Sequence, residues 1–306
     1  MAESTFLESI ASRAESILPI VVLYNLRLSD SPTYRTFCAA ARHCGSDPSR
    51  IAVYDNSPVR QADPEEEAHL KAFYHDPNNS GLAAGYNWAL ARAEESGIEW
   101  LLLLDQDSEL PVEFLSIMLD AAMLYEPQPQ VAAIVPHVRG SAGPISPNRV
   151  RFGRLAAVPE TLSGVIPYEI TAVNSGVLVR TDFVRSIGGF NPDFPLDCLD
   201  HWLFHEIYAR GEVAAIATSC MRHDLSVRDY RNKVSVNRYR SILFSEGLFV
   251  ATTKSRIERM FYVWRLALRA VKQVVIYRQP KIAALTGLMI CSFLQNLARL
   301  PKGRSN

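Results

Sequence analysis

The sequence is short of several features that would each mark a class of protein. Its five cysteines, Cys38, Cys44, Cys198, Cys220 and Cys291, are scattered and form no C-x-x-C pair. That spacing excludes a zinc ribbon, argues against a disulfide framework and suits a reducing compartment. The opening residues, Met1 to Leu18, mix acids with apolar residues and lack a basic start followed by a long apolar run. No cleaved signal peptide is therefore expected, and the expected location is the cytoplasm. Ala283 to Leu294 is rather uniformly apolar but too short to span a bilayer. There is no internal repeat and no low-complexity tract. After Glu258 the sequence contains no acidic residue at all.

What is present is enough for a folded protein. The 306 residues, 48% hydrophobic and 21% charged, can bury a substantial core as one large domain with a smaller appendage. The formal net charge of zero conceals an asymmetry. From Lys254 to Arg304 eleven basic residues face one acid, a net +10, so the remainder carries about −10.

Short apolar runs alternate with helical stretches. Pro19–Tyr24, Arg50–Tyr54, His69–His75, Glu99–Leu104 and Val131–Pro136 read as strands. Tyr34–Cys44, Leu82–Glu95 and Pro111–Tyr125 read as helices, the last with proline in its first turn. This alternation indicates an α/β domain built on a parallel sheet. Residues 139–168 read as loops with one hairpin, Glu169–Arg180 as a strand, Asp200–Ala209 as a helix and Val213–Ser219 as a strand. From Val236 onward the pattern is helical. The expected divisions are an N-terminal extension (1–18), a catalytic domain (19–235) and a basic helical region (236–306).

Ligands of such sheets bind beyond the carboxyl ends of the strands. Asn25, Asp55, Asn79 and Asp105 all lie at or just after those ends. Asp105-Gln-Asp107 follows four leucines, and two carboxylates two residues apart on a turn can address one hard divalent cation. Asn79-Ser-Gly81-Leu-Ala-Ala-Gly85-Tyr-Asn87 offers glycines for close backbone approach and a helix start with free amide donors. Asp55-Asn-Ser57 is a turn after the second strand.

The order of these motifs resembles the family 2 glycosyltransferases of the GT-A fold, a Rossmann-like mixed α/β sheet. The likeness continues through Asn174-Ser-Gly176, Gly188-Gly-Phe190 and Asp197-x-x-Asp200, and covers about Pro19 to Arg240. Within the family it is most similar to the rhamnosyltransferase branch, which often has Asp-Gln-Asp. The resemblance implies a donor site with Asp55 at the base or ribose and Asn79, Gly81, Asn87 and Asp105 around the donor. It implies Mg²⁺ or Mn²⁺ on Asp105, Asp107 and His223, and Asp200 as general base. Asn174, Asp197 and Trp202 would serve the acceptor or support the base. The implied donor is dTDP-L-rhamnose and the implied acceptor a lipid-linked saccharide. The family's Glu-Trp after the base is here His201-Trp202, and its Arg-Asn pair corresponds to Ser245-Glu246. A nucleotidyltransferase and a non-catalytic nucleotide-sugar-binding module are the alternative readings. The first wants a basic glycine loop that residues 19–30 lack; the second would have no use for Asp200.

In the basic tail Ile257, Phe261, Trp264, Leu268 and Val271 recur at three- and four-residue steps with arginines between them. That pattern predicts an amphipathic helix whose partner is an anionic membrane, a second copy in a homodimer, or the catalytic domain. Nucleic acid is not expected, since no recognition motif is present.

Overall fold

The computed structural model describes residues 15–151, 154–223 and 235–299. The first fourteen residues of the expected N-terminal extension, and Lys302 and Arg304 of the tail, lie outside them. The chain divides into two compact units, with the boundary between Asp224 and Leu225.

The first unit is built on a mixed sheet. Its leading strands are β1 (Ile17–Leu23), β2 (Ala52–Asp55), β3 (Ala72–His75) and β4 (Trp100–Asp105), separated by helices α1 (Pro32–His43), α2 (Pro64–Ala68) and α3 (Leu82–Glu95). Then follow α4 (Phe114–Tyr125), β5 (Val131–Gly140), β6 (Gly143–Ser146), β7 (Asn148–Arg151), β8 (Arg154–Ala157), β9 (Gly164–Val165), β10 (Ile170–Thr171) and β11 (Val177–Arg180). Helices α5 (Thr181–Ser186) and α6 (Leu199–Ala209) lead to β12 (Val213–Arg222). Among the described residues the main sheet has nine strands in the order β3-β2-β1-β4-β11-β5-β12-β9, with β6 beside β5. The mixed α/β fold class is thus the one expected. The apolar runs occupy its centre: Leu101 to Leu104 and Val131 to Val135 are completely buried, as strands covered on both faces must be.

Three strands depart from the purely parallel expectation: β6 and β9 run antiparallel to β5 and β12 at the margin of the sheet, and β11 does so at its centre. β11 runs antiparallel to both β4 and β5, while β5 pairs parallel to β12. The carboxyl ends of β1, β2, β3, β4, β5 and β12 therefore share one edge of the sheet with the amino end of β11. That geometry assembles the site.

Several element boundaries differ from the sequence reading for local reasons. The strand expected over Glu169–Arg180 is broken between β10 and β11, because the chain turns at Asn174-Ser175-Gly176. Gly176 has φ +83°, and a Cβ there would lie 2.5 Å from Met221 Sδ. The helix expected from Pro111 starts at Phe114. The short α2 is held by a capping box between Asp63 and Glu66, too brief a helix to leave a periodic signal. The middle region holds a hairpin of β7 and β8 that joins β10 in a small second sheet.

The second unit contains α7 (Val236–Thr253), α8 (Arg256–Val275) and α9 (Pro280–Arg299). Ser255 and Glu258 form a capping box at the start of α8. Tyr239, Leu243, Val250, Tyr262, Leu266 and Phe293 make the core of this unit. Inside it, Gln273 Nε2 donates to Tyr239 Oη, which bonds Thr286 Oγ1, and Thr286 returns a bond to Gln273 Oε1, each at 2.8 Å.

Candidate active site at the strand ends

Register brings the chemistry together. Leu23 pairs with Asp55, Asp55 with His75 and Val22 with Asp105, so the motif loops leave neighbouring strands side by side. β12 reaches the same edge, where Glu109 and Arg222 exchange backbone hydrogen bonds of 2.8 and 3.0 Å. His223, the next residue, then falls beside the Asp105-Gln-Asp107 turn. Its Nε2 lies 3.9 Å from Asp105 Oδ2 and its Nδ1 3.6 Å from Asp107 Oδ1.

The turn is fixed by bonds the sequence did not reveal. Gln106 bridges to the end of β1, accepting from Tyr24 N at 2.7 Å and donating to Tyr24 O at 3.2 Å. Ser31 Oγ donates to Gln106 O at 2.6 Å and Thr33 Oγ1 to Asp105 O at 2.5 Å. Beneath the carboxylates runs a buried chain. Asp105 N donates to Ser175 Oγ at 3.1 Å, Ser175 Oγ bonds Ser108 Oγ at 2.7 Å, and Ser108 Oγ bonds His223 Nδ1 at 2.9 Å. With Nδ1 protonated toward Ser108, Nε2 keeps a free lone pair, the form that a metal ligand needs.

Burial pushes the Asp105 carboxyl up to about 6; the charge of His223 opposes the rise, and those of Asp107 and Asp200 add to it. A divalent cation would reverse that balance by favouring the ionised form. Tyr86 lies wholly buried on α3, and burial together with the charges of Asp105 and Asp200 drives its hydroxyl well above the ordinary phenol range. Asp200 is thus near enough to Asp105 to act on its charge. It stands in the first turn of α6 with Oδ1 accepting from His201 N at 2.8 Å. No sequence signal singled out Tyr86, an aromatic on a helix; Ser108 and Ser175 stood inside or beside motifs as ordinary small residues.

Two carboxylates and an imidazole are a suitable donor set for Mg²⁺ or Mn²⁺. Asp107 is half exposed (51%), Asp105 a quarter exposed (26%) and His223 buried (6%), so the open side of the group is the acidic one. Among the described residues no three His, Cys, Asp or Glu side chains form a ready-made metal cage. Mg²⁺ bound by one or two carboxylates plus substrate phosphates does not require one. Asp105 and Asp107 are the oxygen donors that could hold such a cation in that shared mode.

Other expected donor residues have hydrogen-bond or packing partners within the protein. Asp55 is fully buried, its Oδ1 accepting from Ser57 N at 3.1 Å and its Oδ2 from Gln61 N at 2.7 Å, so its carboxylate shapes the loop from within. Gly81 needs its missing side chain for the protein itself: φ is +95° and a Cβ would meet Pro195 O at 2.3 Å. Two amides at the helix start are taken up within the protein, Gly81 N by Asn56 Oδ1 and Leu82 N by Pro195 O. Asn87 brackets the Gly188-Gly-Phe190 turn, donating to Phe190 O at 2.7 Å and accepting from Phe190 N at 2.8 Å. In this structure the start of α3 thus holds Pro195 through Leu82, and Asn87 holds Phe190. Asn79 sits in a left-handed turn with φ 55° between β3 and α3. Asn174 is 6% exposed, and its Oδ1 has no hydrogen-bond partner, an acceptor left over at the amino end of β11. Asp197 is half-buried, and Trp202 is buried on the inner side of α6.

The fold and site together define a mixed α/β protein with a carboxylate–imidazole group at its strand-end edge. No family model matches the sequence, and no curated protein sequence does either. Among solved structures the chain is similar to S. aureus TarS 1-349, at 15% identity and a TM-score of 0.46 over 92% of each chain. It is similar also to that fragment in complex with UDP, at 13% identity and a TM-score of 0.46 over 92% of each. Against a longer TarS chain the identity is 16% and the TM-score 0.47, covering 93% of this chain and 54% of that one.

Proposed function

We propose that the chain is an inverting glycosyltransferase that moves a sugar from a nucleoside-diphosphate donor to an acceptor hydroxyl. The observation that carries this reading is the meeting of Asp105, Asp107 and His223 at one sheet edge, with Asp200 close enough to act on Asp105. The identity of the sugar and acceptor rests on the sequence resemblance alone: dTDP-L-rhamnose, and a lipid-linked saccharide of a bacterial surface polysaccharide.

Asp200 takes the proton from the acceptor hydroxyl. The oxygen then attacks the anomeric carbon from the face opposite the nucleotide, so the bond to the diphosphate breaks with inversion. Mg²⁺ or Mn²⁺, held by Asp105, Asp107 and His223 when bound, would neutralise the diphosphate and ease its departure. Gln106 ties the carboxylate turn to β1, and Ser108 orients the imidazole, so the turn needs little reorganisation when the donor arrives.

The test is heat protection and slow hydrolysis with UDP-, dTDP- and GDP-sugars, with and without Mn²⁺. Metal-dependent protection by a nucleotide sugar, with release of nucleoside diphosphate, is expected. Asp107→Ala should keep the fold and lose the metal-dependent part of donor binding. Protection without turnover toward any acceptor would leave a binding module. Pyrophosphate release from a nucleoside triphosphate and a sugar phosphate would make the chain a nucleotidyltransferase. Unchanged metal-enhanced affinity in Asp107→Ala would remove the metal assignment.

A further inference from the structure

Helix α8 has two apolar faces set back to back. Tyr262 and Leu266 are buried, with Gln273, on the face that builds the core of the second unit. The opposite face carries Ile257, Phe261, Trp264, Leu268, Val271 and Val275, every one of them between 51% and 68% exposed. At 100° per residue these six fall within about 40° of one line along a helix roughly 30 Å long. A helix that packs on one core needs only one apolar face, and a contiguous outward stripe of this size marks a surface built to be covered.

We propose that this outward face of α8 docks on an anionic lipid surface, lying in the plane of the interface. Charge selects the occupant. The described residues of the unit, 235–299, contain eleven Lys or Arg and two acids, Glu246 and Glu258. Both acids are engaged within the unit: Glu246 accepts from Arg269 Nη1 and Nη2 at 2.7 and 2.9 Å, and Glu258 closes the capping box with Ser255. Arg265 and Lys272 fall on one flank of the stripe and Arg256 on the other, where an apolar face buried at the headgroup boundary would bring them beside lipid phosphates. A second copy would set this basic surface against itself, and like charges across an interface oppose association. No described helix is long and apolar enough to cross a membrane, which leaves the interfacial mode for this one.

The experiment is flotation of the full chain with vesicles of pure phosphatidylcholine and of phosphatidylcholine with phosphatidylglycerol, at low and high salt. Light scattering runs alongside. Full-length protein should float with the anionic vesicles at low salt and much less with the neutral ones. The double variant Phe261→Ser/Trp264→Ser should lose at least about tenfold in partitioning, since two large apolar groups no longer enter the interface. Because both side chains are exposed, its thermal unfolding should match the parent. Arg265→Gln/Lys272→Gln should weaken the salt-sensitive part alone. Absence of flotation with anionic vesicles, or flotation unchanged in the Phe261/Trp264 variant, overturns the proposal. So does a parent dimer that the same variant turns into monomer, which would assign the stripe to a second copy.

Discussion

Each unit of the chain buries a polar network, and the two networks are closed off differently. In the second unit Tyr239, Gln273 and Thr286, one from each helix, form a ring in which every hydroxyl proton and the bonded amide N–H find an acceptor within the ring. In the first unit Ser175, Ser108 and His223 form a line instead, ending against Asp105 and Asp107 at the exposed edge of the sheet. A ring of mutually bonded groups fixes how three helices meet, and its three side chains are buried away from any ligand. A line that ends on partly exposed carboxylates holds its terminal groups in place while leaving them available. The difference separates polar burial that specifies a fold from polar burial that prepares a site.

The largest expected effect lies at the open end. Asp200→Asn should bind nucleotide sugar with nearly parental affinity yet lose about 10²–10⁴ in transfer rate, because an amide cannot take the acceptor's proton. Single-turnover kinetics beside donor titration check it, with Asp197→Asn as the comparison. An inactive Asp197→Asn with an active Asp200→Asn would move the base by three residues.

Within the line, Ser108→Ala removes the hydroxyl that orients His223. Metal affinity should fall about 10- to 100-fold, the usual consequence of losing a supporting hydrogen bond behind a ligand. Calorimetric titration of Mn²⁺ in the presence of nucleoside diphosphate measures it, and an unchanged affinity would make the line purely structural.

In the ring, Tyr239→Phe leaves the Gln273 amide without its acceptor and should cost about 1–3 kcal/mol of stability with no change in donor binding. Urea unfolding followed by circular dichroism reads the cost. A loss of donor binding at equal fold content would show that the two networks are not separate in kind.

The smallest effect concerns acid stability. Burial alone would raise the Asp76 carboxyl, but bonds from Ser80, Asn78 and Tyr54 outweigh it and hold it at about 2. A carboxylate depressed in the folded state stabilises above its unfolded value of about 3.9 and loses that contribution as pH falls through its folded value. Acid titration between about pH 4 and 2 should therefore show a stability loss in the parent that Asp76→Asn lacks.

Much of the fold was legible because buried strands in a covered sheet must be apolar throughout, as Trp100–Leu104 and Val131–Val135 are. The carboxylate turn was legible for a related reason, since two acids directly after such a run have little purpose inside a core. The Asn79–Asn87 motif shows the limit of that reasoning. Glycines and amides in a loop look the same whether they meet a ligand or another part of the chain, and here Gly81 and Asn87 meet Pro195 and Phe190. The stripe on α8 shows another limit, since spacing along a helix identifies an apolar face without saying whether the molecule covers it.

The sequence by itself determined the apolar central strands of the sheet, the acidic turn at the end of β4 and the basic helices of the tail, because these depend on local period and local composition. Only the tertiary structure decided that β11 runs antiparallel, that His223 arrives beside Asp107 from more than a hundred residues away, and that Ser108 and Ser175 lie beneath them. Those relations depend on strand order and register, which are set by how all the strands share one core and are encoded in no single segment.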